Sequence, residues 1–167
     1  MTAGSEAASY FLQCFDNFLH SPSGLPVKVD LIWFNSGMHN INWPGAQGQE
    51  GNSSEYPAEL AAIATRIQAL AASTGAKLLY ALTTPFLCTA ATDFIINDLL
   101  NVNASAIMAT NDISVVDLHT PIIEKCGTAP TPACFGLTGC FCPHCPPGYE
   151  WLTTTVIAPA IRKALGV

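Results

Sequence analysis

Apolar residues in four segments of the chain recur at spacings of three and four residues, which predicts amphipathic helices. Ser5 and Glu6 stand at the start of the first segment, where polar side chains cap a helix. Pro57 can open the second helix and Gly75 can end it, while Pro159 predicts a kink in the last. The predicted helices cover residues 5 to 20, 57 to 75, 92 to 109 and 148 to 165.

Three shorter apolar runs lack the polar alternation of a strand that has one face in water, so both of their faces should be buried. Strands of this kind, alternating with helices, predict βαβ crossovers and a doubly wound parallel sheet. The chain of 167 residues fits one domain, residues 1 to 167, around a single core. The predicted strands cover residues 29 to 34, 76 to 82 and 113 to 118.

Polar residues crowd the loop that follows the first predicted strand. Asn35, Ser36, His39 and Asn40 lie within six positions, and α/β sheets place their chemistry at the carboxyl ends of strands. Gly37 permits a positive φ or a close approach to a ligand. His39 and Asn40 are therefore candidates to donate hydrogen bonds to a developing oxyanion, and the alternative is a network that only caps the loop.

Charge and hydropathy exclude several classes of partner. The chain has 6 Lys plus Arg against 12 Asp plus Glu, and its net charge of −6 disfavours nucleic acid and anionic membrane surfaces. No apolar run approaches the ~20 residues of a transmembrane helix. The glycine motifs of dinucleotide and phosphate binding are absent, so no cofactor is predicted.

The seven cysteines and two glycosylation sequons, which begin at Asn52 and Asn103, predict a secreted glycoprotein or a location in the secretory pathway. Five cysteines fall between residues 126 and 145, where local disulfides are expected. Zinc is the alternative, although four ligands within six positions would strain a tetrahedron, so no metal is predicted. The candidate zinc ligands are Cys140, Cys142, His144 and Cys145.

Two histidines lie next to predicted elements in places that suit acid–base chemistry. His144 stands directly before the last helix among rigid prolines and is a candidate general base; the alternative is a loop histidine without a role. Asp117 and His119 follow the third strand and are a second candidate pair. For Asp117 we favour a structural role, in which its carboxylate accepts backbone N–H groups of the next turn.

In their order and spacing, these motifs resemble the SGNH/GDSL hydrolase family over nearly the whole chain. Residues 37 to 40 resemble the family's Gly-x-Asn-Asp motif, and His144 with Gly148 and Tyr149 resembles its last motif and the start of its last helix. The resemblance implies a flavodoxin-like, three-layer α/β fold. It also implies hydrolysis of carboxylic esters, acyl or acetyl, by a Ser, Gly, Asn and His set.

Three departures from the family pattern shape the expectation. No Gly-Asp-Ser triplet occurs, so the nucleophile and the first strand are expected to be missing, with Gly4 as a remnant of the second motif. His39 takes the place of the oxyanion Asn, and Asn40 that of the following Asp. Phe141 stands in the place of the triad Asp. In serine proteases, replacing the triad Asp by Asn lowers turnover about ten-thousand-fold, so the loss of this carboxylate should be serious.

The leading hypothesis is therefore an N-terminally incomplete SGNH-type domain whose complete form hydrolyses small-molecule or glycan esters. As a fragment it should be weak or inactive, and it should self-associate through the exposed edge of its sheet. The rival is a non-catalytic pseudoenzyme or a glycan- or lipid-binding domain. A zinc-stabilised interaction module is a third hypothesis.

Overall fold

A computed structural model describes residues 8–14, 28–40, 53–85, 95–128, 130–135 and 146–167. Within these ranges, three strands form one parallel sheet, as the sequence predicts. The strand order is β1-β2-β3. Leu31 of β1 pairs with Lys77 of β2, and Leu79 of β2 pairs with Ser114 of β3. Each strand is shorter than its apolar run. The strands are β1 (Leu31–Phe34), β2 (Lys77–Ala81) and β3 (Ser114–Val116).

Helices connect and flank these strands. Residues 95 to 101 form a π-helical segment that runs into α3, and residues 153 to 157 form a second one between the last two helices. Short 3-10 turns cover Met38–Asn40 and Pro132–Phe135. The α-helices are α1 (Ala8–Gln13), α2 (Tyr56–Thr74), α3 (Val102–Thr110), α4 (Thr120–Cys126), α5 (Pro146–Leu152) and α6 (Ala158–Leu165).

The helix α2 agrees closely with its sequence pattern. Pro57 lies in its first turn, and Gly75 ends it in the left-handed conformation at φ 78°, donating its N–H to the carbonyl of Ala71 at 2.8 Å. The apolar stripe faces the sheet, and each buried Leu or Ile contributes roughly 1.5–3 kcal/mol. The buried residues of α2 are Tyr56, Leu60, Ile63, Ala64, Ile67, Leu70 and Ala71.

Helices cover both faces of the sheet, which gives the predicted three-layer architecture. On one face, Phe34 and Tyr80 pack with buried residues of α1, α2 and α3. On the other face, Leu79 and Ala81 pack with Ile122 of α4, with Leu152 of α5 and with partly buried residues of α6. Neighbouring residues along β2 thus enter opposite cores, which explains why its sequence lacks polar alternation.

The structure differs from the sequence prediction at two helices. Pro159 lies in the first turn of α6, and the irregular segment is the π-helical stretch before it. A widened turn there accommodates a residue that cannot donate an N–H to the helical ladder. The short helix α4 was not predicted, because its seven residues show too few turns for a recognisable period.

The second glycosylation sequon lies within α3. The side-chain amide of Asn103 donates to the carbonyl of Leu99 at 2.5 Å. The hydroxyl of Ser105 donates to the carbonyl of Asn101 at 2.8 Å. Both polar side chains of this sequon therefore bond to the backbone of the preceding helical turn.

A disulfide and an aromatic cluster hold the segment after α4. Cys126 is bonded to Cys134, which confirms the expectation of a local disulfide, and Cys14 is a free thiol. The ammonium group of Lys125 lies 5.9 Å from the ring centre of Phe135 and 5.2 Å from that of Trp151. Because Trp151 belongs to α5, these contacts join the disulfide-bonded loop to the helix that follows His144 in sequence.

In the ranges listed above, no helix is both long and apolar enough to cross a bilayer.

We expect that replacing both Cys126 and Cys134 by Ser lowers the free energy of unfolding by about 2.5 kcal/mol. The disulfide joins residues eight positions apart, and its loss restores the entropy of that loop in the unfolded chain. Urea unfolding measures the difference. The matched control is Cys14→Ser, which removes a free thiol and should change stability much less. Equal stability of the double variant and the parent chain would contradict this expectation.

Candidate functional site

The carboxyl ends of the three strands are tied to one another at a single edge of the sheet. The side-chain amide of Asn35, directly after β1, donates to the carbonyl of Ala81 at 2.6 Å. The N–H of Leu82, directly after β2, donates to the carbonyl of Val116 at 2.9 Å. The polar residues that follow β1 and β2 therefore lie together at the edge where α/β sheets bind ligands.

Two buried tyrosines converge on the backbone at the end of β1. The Tyr56 hydroxyl lies 2.9 Å and the Tyr80 hydroxyl 2.6 Å from the carbonyl oxygen of Ser36, and the two hydroxyls are 2.8 Å apart. We call these three groups the tyrosine clamp. Tyr56 opens α2, whereas Tyr80 belongs to β2, where its ring meets that of Phe34 edge to face at 5.1 Å. The clamp therefore joins β2, α2 and the loop after β1.

Burial keeps both phenols of the clamp protonated. Burial raises the pKa of Tyr80 to about 12 and raises the pKa of Tyr56 well above its ordinary value of 10. A phenolate in this apolar environment would lose its hydration, and a second one beside it would add repulsion. At neutral pH the clamp therefore has two O–H groups available for donation.

Gly37 follows the clamp in a conformation that other residues avoid. Its φ is +134°, so the predicted positive φ is confirmed. A Cβ at this position would lie 3.1 Å from three atoms of the Tyr56 phenol. The Tyr56 ring would therefore have to shift by a few tenths of an ångström to admit a side chain at position 37.

His39 and Asn40 lie on the 3-10 turn Met38–Asn40, but their burial differs. The Asn40 side chain is fully buried: its Oδ1 accepts the N–H of Ala8, and its Nδ2 donates to Glu59 at 3.2 Å. Asn40 thus supplies a partner for the first N–H of α1 and links it to the first turn of α2. His39 is only partly buried. Of the two residues, His39 is therefore the more accessible to a ligand.

Two buried hydroxyls mark the ends of β1 and β2. Ser36 Oγ and Thr83 Oγ1 have no hydrogen-bond partner among the residues that the structure describes. The backbone of Thr83, by contrast, is fully engaged, because its N–H and carbonyl both bond to the side chain of Asn101, at 2.8 and 2.9 Å. Among the described residues, these two side-chain hydroxyls therefore lack a partner at the edge where binding is expected, whereas the backbone of Thr83 is paired there.

Asp117 has the structural role favoured from the sequence. Its Oδ1 accepts the backbone N–H of His119 at 2.8 Å and that of Thr120 at 3.0 Å. These bonds cap the start of α4. His119 is buried, at 6% exposure. The candidate pair Asp117 and His119 therefore belongs to the structure of the turn after β3.

The structure brings Gly37, His39 and Asn40 together, whereas Gly4 and His144 lie outside the described residues. Phe141 and the candidate zinc ligands Cys140, Cys142 and Cys145 lie outside them as well. In the part of the chain that the structure covers, no group of three or more His, Cys, Asp or Glu side chains could hold a metal.

Sequence reasoning missed the residues that support this loop, namely Tyr56, Tyr80 and Glu59. One signal was present. Tyr80 interrupts an apolar run that enters the core, and a buried tyrosine hydroxyl usually requires a hydrogen-bond partner. Its partner, a backbone carbonyl 44 residues away, could not be identified from the sequence.

Comparison with solved structures identifies the architecture. A protein from Bacteroides fragilis assigned as an acylhydrolase superposes with a TM-score of 0.61 and 19% identity, over 96% of this chain and 72% of that one. A GDSL-like lipase from Bacteroides thetaiotaomicron gives a TM-score of 0.62 and 20% identity, over 95% of this chain and 72% of that one. The chain has an SGNH/GDSL hydrolase-like fold. No family model and no curated protein matches its sequence.

This GDSL-like fold confirms the α/β architecture implied by the sequence motifs. At this level of identity the likeness concerns the fold. The role of each residue therefore depends on the geometry of this chain itself.

We expect Gly37→Ala to lower the free energy of unfolding by about 3 kcal/mol or more, because backbone strain adds to a clash with Tyr56. Gly75→Ala is the matched control. Gly75 also has a positive φ, +78°, but a Cβ there meets nothing within 4 Å, so only about 1 to 2 kcal/mol of strain is expected. The measurement is denaturant unfolding of both variants. Equal decreases in the free energy of unfolding would show that the Tyr56 contact is unimportant.

We also expect stability to fall as the pH rises from 10 towards 12. The folded chain keeps the Tyr80 proton up to a pKa of about 12, whereas the unfolded chain releases it near 10, so alkaline pH favours unfolding. At pH 11, the raised pKa of Tyr80 lowers the free energy of unfolding by about 1.4 kcal/mol relative to neutral pH.

The measurement is urea unfolding at pH 8 and pH 11 for the parent chain, Tyr80→Phe and Tyr149→Phe. The advantage of the parent over Tyr80→Phe should shrink at pH 11. Tyr149 is 40% exposed, so its variant should follow the parent at both pH values. A constant difference between parent and Tyr80→Phe would contradict the raised pKa.

Proposed function

We propose that this chain is the larger part of an SGNH/GDSL-type hydrolase that, in its complete form, cleaves carboxylic esters. The observation that carries the proposal is the loop after β1. It lies at the carboxyl edge of a parallel sheet in a GDSL-like fold, and it presents Gly37 and the partly accessible His39. The order of motifs along the sequence, ending with His144 and Tyr149 before the last helix, adds independent support.

In the proposed mechanism, a Ser attacks the ester carbonyl while His144 accepts the proton of its hydroxyl and gives it to the leaving alcohol, which leaves an acyl-enzyme. A water molecule that gives a proton to His144 then cleaves the acyl-enzyme, which releases the carboxylic acid and regenerates the Ser. His39 donates a hydrogen bond to the oxyanion, with the backbone amide of Gly4 as a further donor. The burial of Asn40 favours His39 as the side-chain donor, because both ends of the Asn40 amide already serve α1 and α2. Asn40 then supports the loop from behind.

The 167 residues contain no Gly-Asp-Ser triplet, and Phe141 stands where the resemblance places the triad Asp. For the chain as given we therefore propose weak turnover or none. The rival function is a pseudoenzyme that keeps a glycan- or lipid-binding pocket. It is supported by Phe141 in place of the triad Asp and by His39 in place of the oxyanion Asn.

A fluorophosphonate probe followed by mass analysis separates these functions, because it labels a serine that a histidine activates. We expect labelling of a form extended upstream through the reading frame, loss of labelling in His144→Ala of that form, and no labelling of the 167-residue chain. Thr154→Ala, a change on an exposed helical surface, is the control. Labelling of neither form would favour the binding domain, and histidine-dependent labelling of a serine within residues 1 to 167 would contradict the missing nucleophile.

We propose small-molecule or glycan esters as substrates and an oxidising compartment, secreted or within the secretory pathway, as the location. The Cys126–Cys134 disulfide supports the location, since such bonds persist mainly in oxidising environments. Self-association through the outer edge of β1 likewise remains a proposal. It is supported by the position of β1 at the end of the strand order.

A further inference from the structure

We infer that Tyr56 and Tyr80 are positioning residues of the proposed site, because the tyrosine clamp fixes the start of the segment Gly37–Asn40 that carries His39. The catalytic consequence of this inference rests on the proposed function. Its structural part, the restraint of the segment, is measurable in the chain whether or not it hydrolyses esters.

The clamp gives the Ser36 carbonyl a redundant set of donors. Three oxygen atoms lie 2.6 to 2.9 Å from one another, but the two phenols supply only two hydrogens. Either both phenols donate to the carbonyl, or one donates to the other, which donates to the carbonyl. In every arrangement the carbonyl accepts at least one hydrogen bond, so removal of either hydroxyl alone leaves it satisfied.

The restraint passes from the clamp to His39 through short and stiff steps. The peptide bond between Ser36 and Gly37 is planar, so a fixed carbonyl also fixes the orientation of the Gly37 N–H. The Tyr56 ring closes over Gly37, and the Gly37 carbonyl accepts the N–H of Asn40 at 2.8 Å, which forms the turn around His39.

The other end of the segment is held independently. The buried side chain of Asn40 bonds to Ala8 of α1 and to Glu59 of α2. His39 thus lies between two anchors, the clamp before it and the Asn40 side chain after it. A donor held in this way needs little reorganisation when charge develops on a substrate, which is the requirement for oxyanion stabilisation.

This geometry predicts strongly non-additive effects. Tyr56→Phe and Tyr80→Phe each keep the ring and leave one donor for the Ser36 carbonyl. The double variant leaves that buried carbonyl without either phenol. The segment Gly37–Asn40 should therefore lose more local stability in the double variant than in the two single variants combined.

Amide hydrogen exchange measured by NMR tests the structural part. The Asn40 amide is the probe, because its bond to Gly37 closes the turn. We expect exchange about two- to threefold faster in each single variant and more than about tenfold faster in the double variant. The Ile113 amide donates to the carbonyl of Met108 at 2.9 Å directly before β3, at the amino end of the strands. It is the internal reference and should change much less.

Ile67→Val is the control for general destabilisation, since Ile67 is fully buried in α2 away from the strand ends, and the change typically costs about 0.5–1.5 kcal/mol. It should not selectively speed exchange at Asn40. Equal acceleration at Asn40 and Ile113 in the double variant, or additive effects of the two tyrosines, would overturn the inference.

Ester turnover by the active form tests the catalytic part. We expect kcat to fall about two- to threefold in each single variant and more than about twentyfold in the double variant, with KM nearly unchanged, because the restraint matters most in the transition state. Ile67→Val should keep the parent kcat. A double variant with parental kcat would overturn the positioning role.

The two proposals fail in distinguishable ways. If no form of the protein hydrolyses an ester but the double variant selectively speeds exchange at Asn40, the clamp is supported and the proposed function is wrong. If turnover is robust but neither exchange nor kcat responds to the tyrosines, the function stands and the clamp is overturned.

Discussion

The hydrogen bonding of a single backbone carbonyl, that of Ser36, organises the candidate site. At this point β1 has ended and the chain must leave the sheet, so the carbonyl lacks the partner that a neighbouring strand would supply. Tyr80 from β2 and Tyr56 from α2 provide that partner inside the core. The direction in which the loop leaves the sheet is therefore set by two elements far from it in sequence.

This arrangement explains the residue types around the loop. The Tyr56 ring lies close enough to position 37 to disfavour any side chain there, and the positive φ of Gly37 then turns the backbone into the 3-10 turn. Asn40 also joins the loop to distant elements, because its buried amide forms hydrogen bonds to α1 and to α2. Hydrogen bonds thus hold both ends of the segment Gly37–Asn40 in the chain without a ligand. Such an arrangement favours recognition, because less ordering is needed on binding.

The sequence predicted the features that depend on local chemistry. Hydrophobic periodicity located the three strands and α2, and the polar residues that follow each strand located the candidate edge of the sheet. The positive φ of Gly37 and the structural role of Asp117 were also accessible, since each depends on residues only a few positions away.

The rest depends on contacts between distant segments. Nothing near Tyr80 in sequence indicates that its hydroxyl reaches Ser36, and nothing near Asn40 indicates that its side chain serves Ala8. The helix α4 and the π-helical segments escaped prediction for a different reason. They are too short, or too far from the ideal period, to leave a clear hydrophobic pattern.

The glycosylation sequon within α3 has a consequence for the timing of modification. In the folded chain, the Asn103 amide and the Ser105 hydroxyl both bond to carbonyls of the preceding turn. Attachment of a sugar to that amide nitrogen would have to break the bond to Leu99. A glycan at Asn103 would therefore be added more readily during synthesis, before α3 forms. Its presence would indicate that glycosylation had preceded folding of this helix.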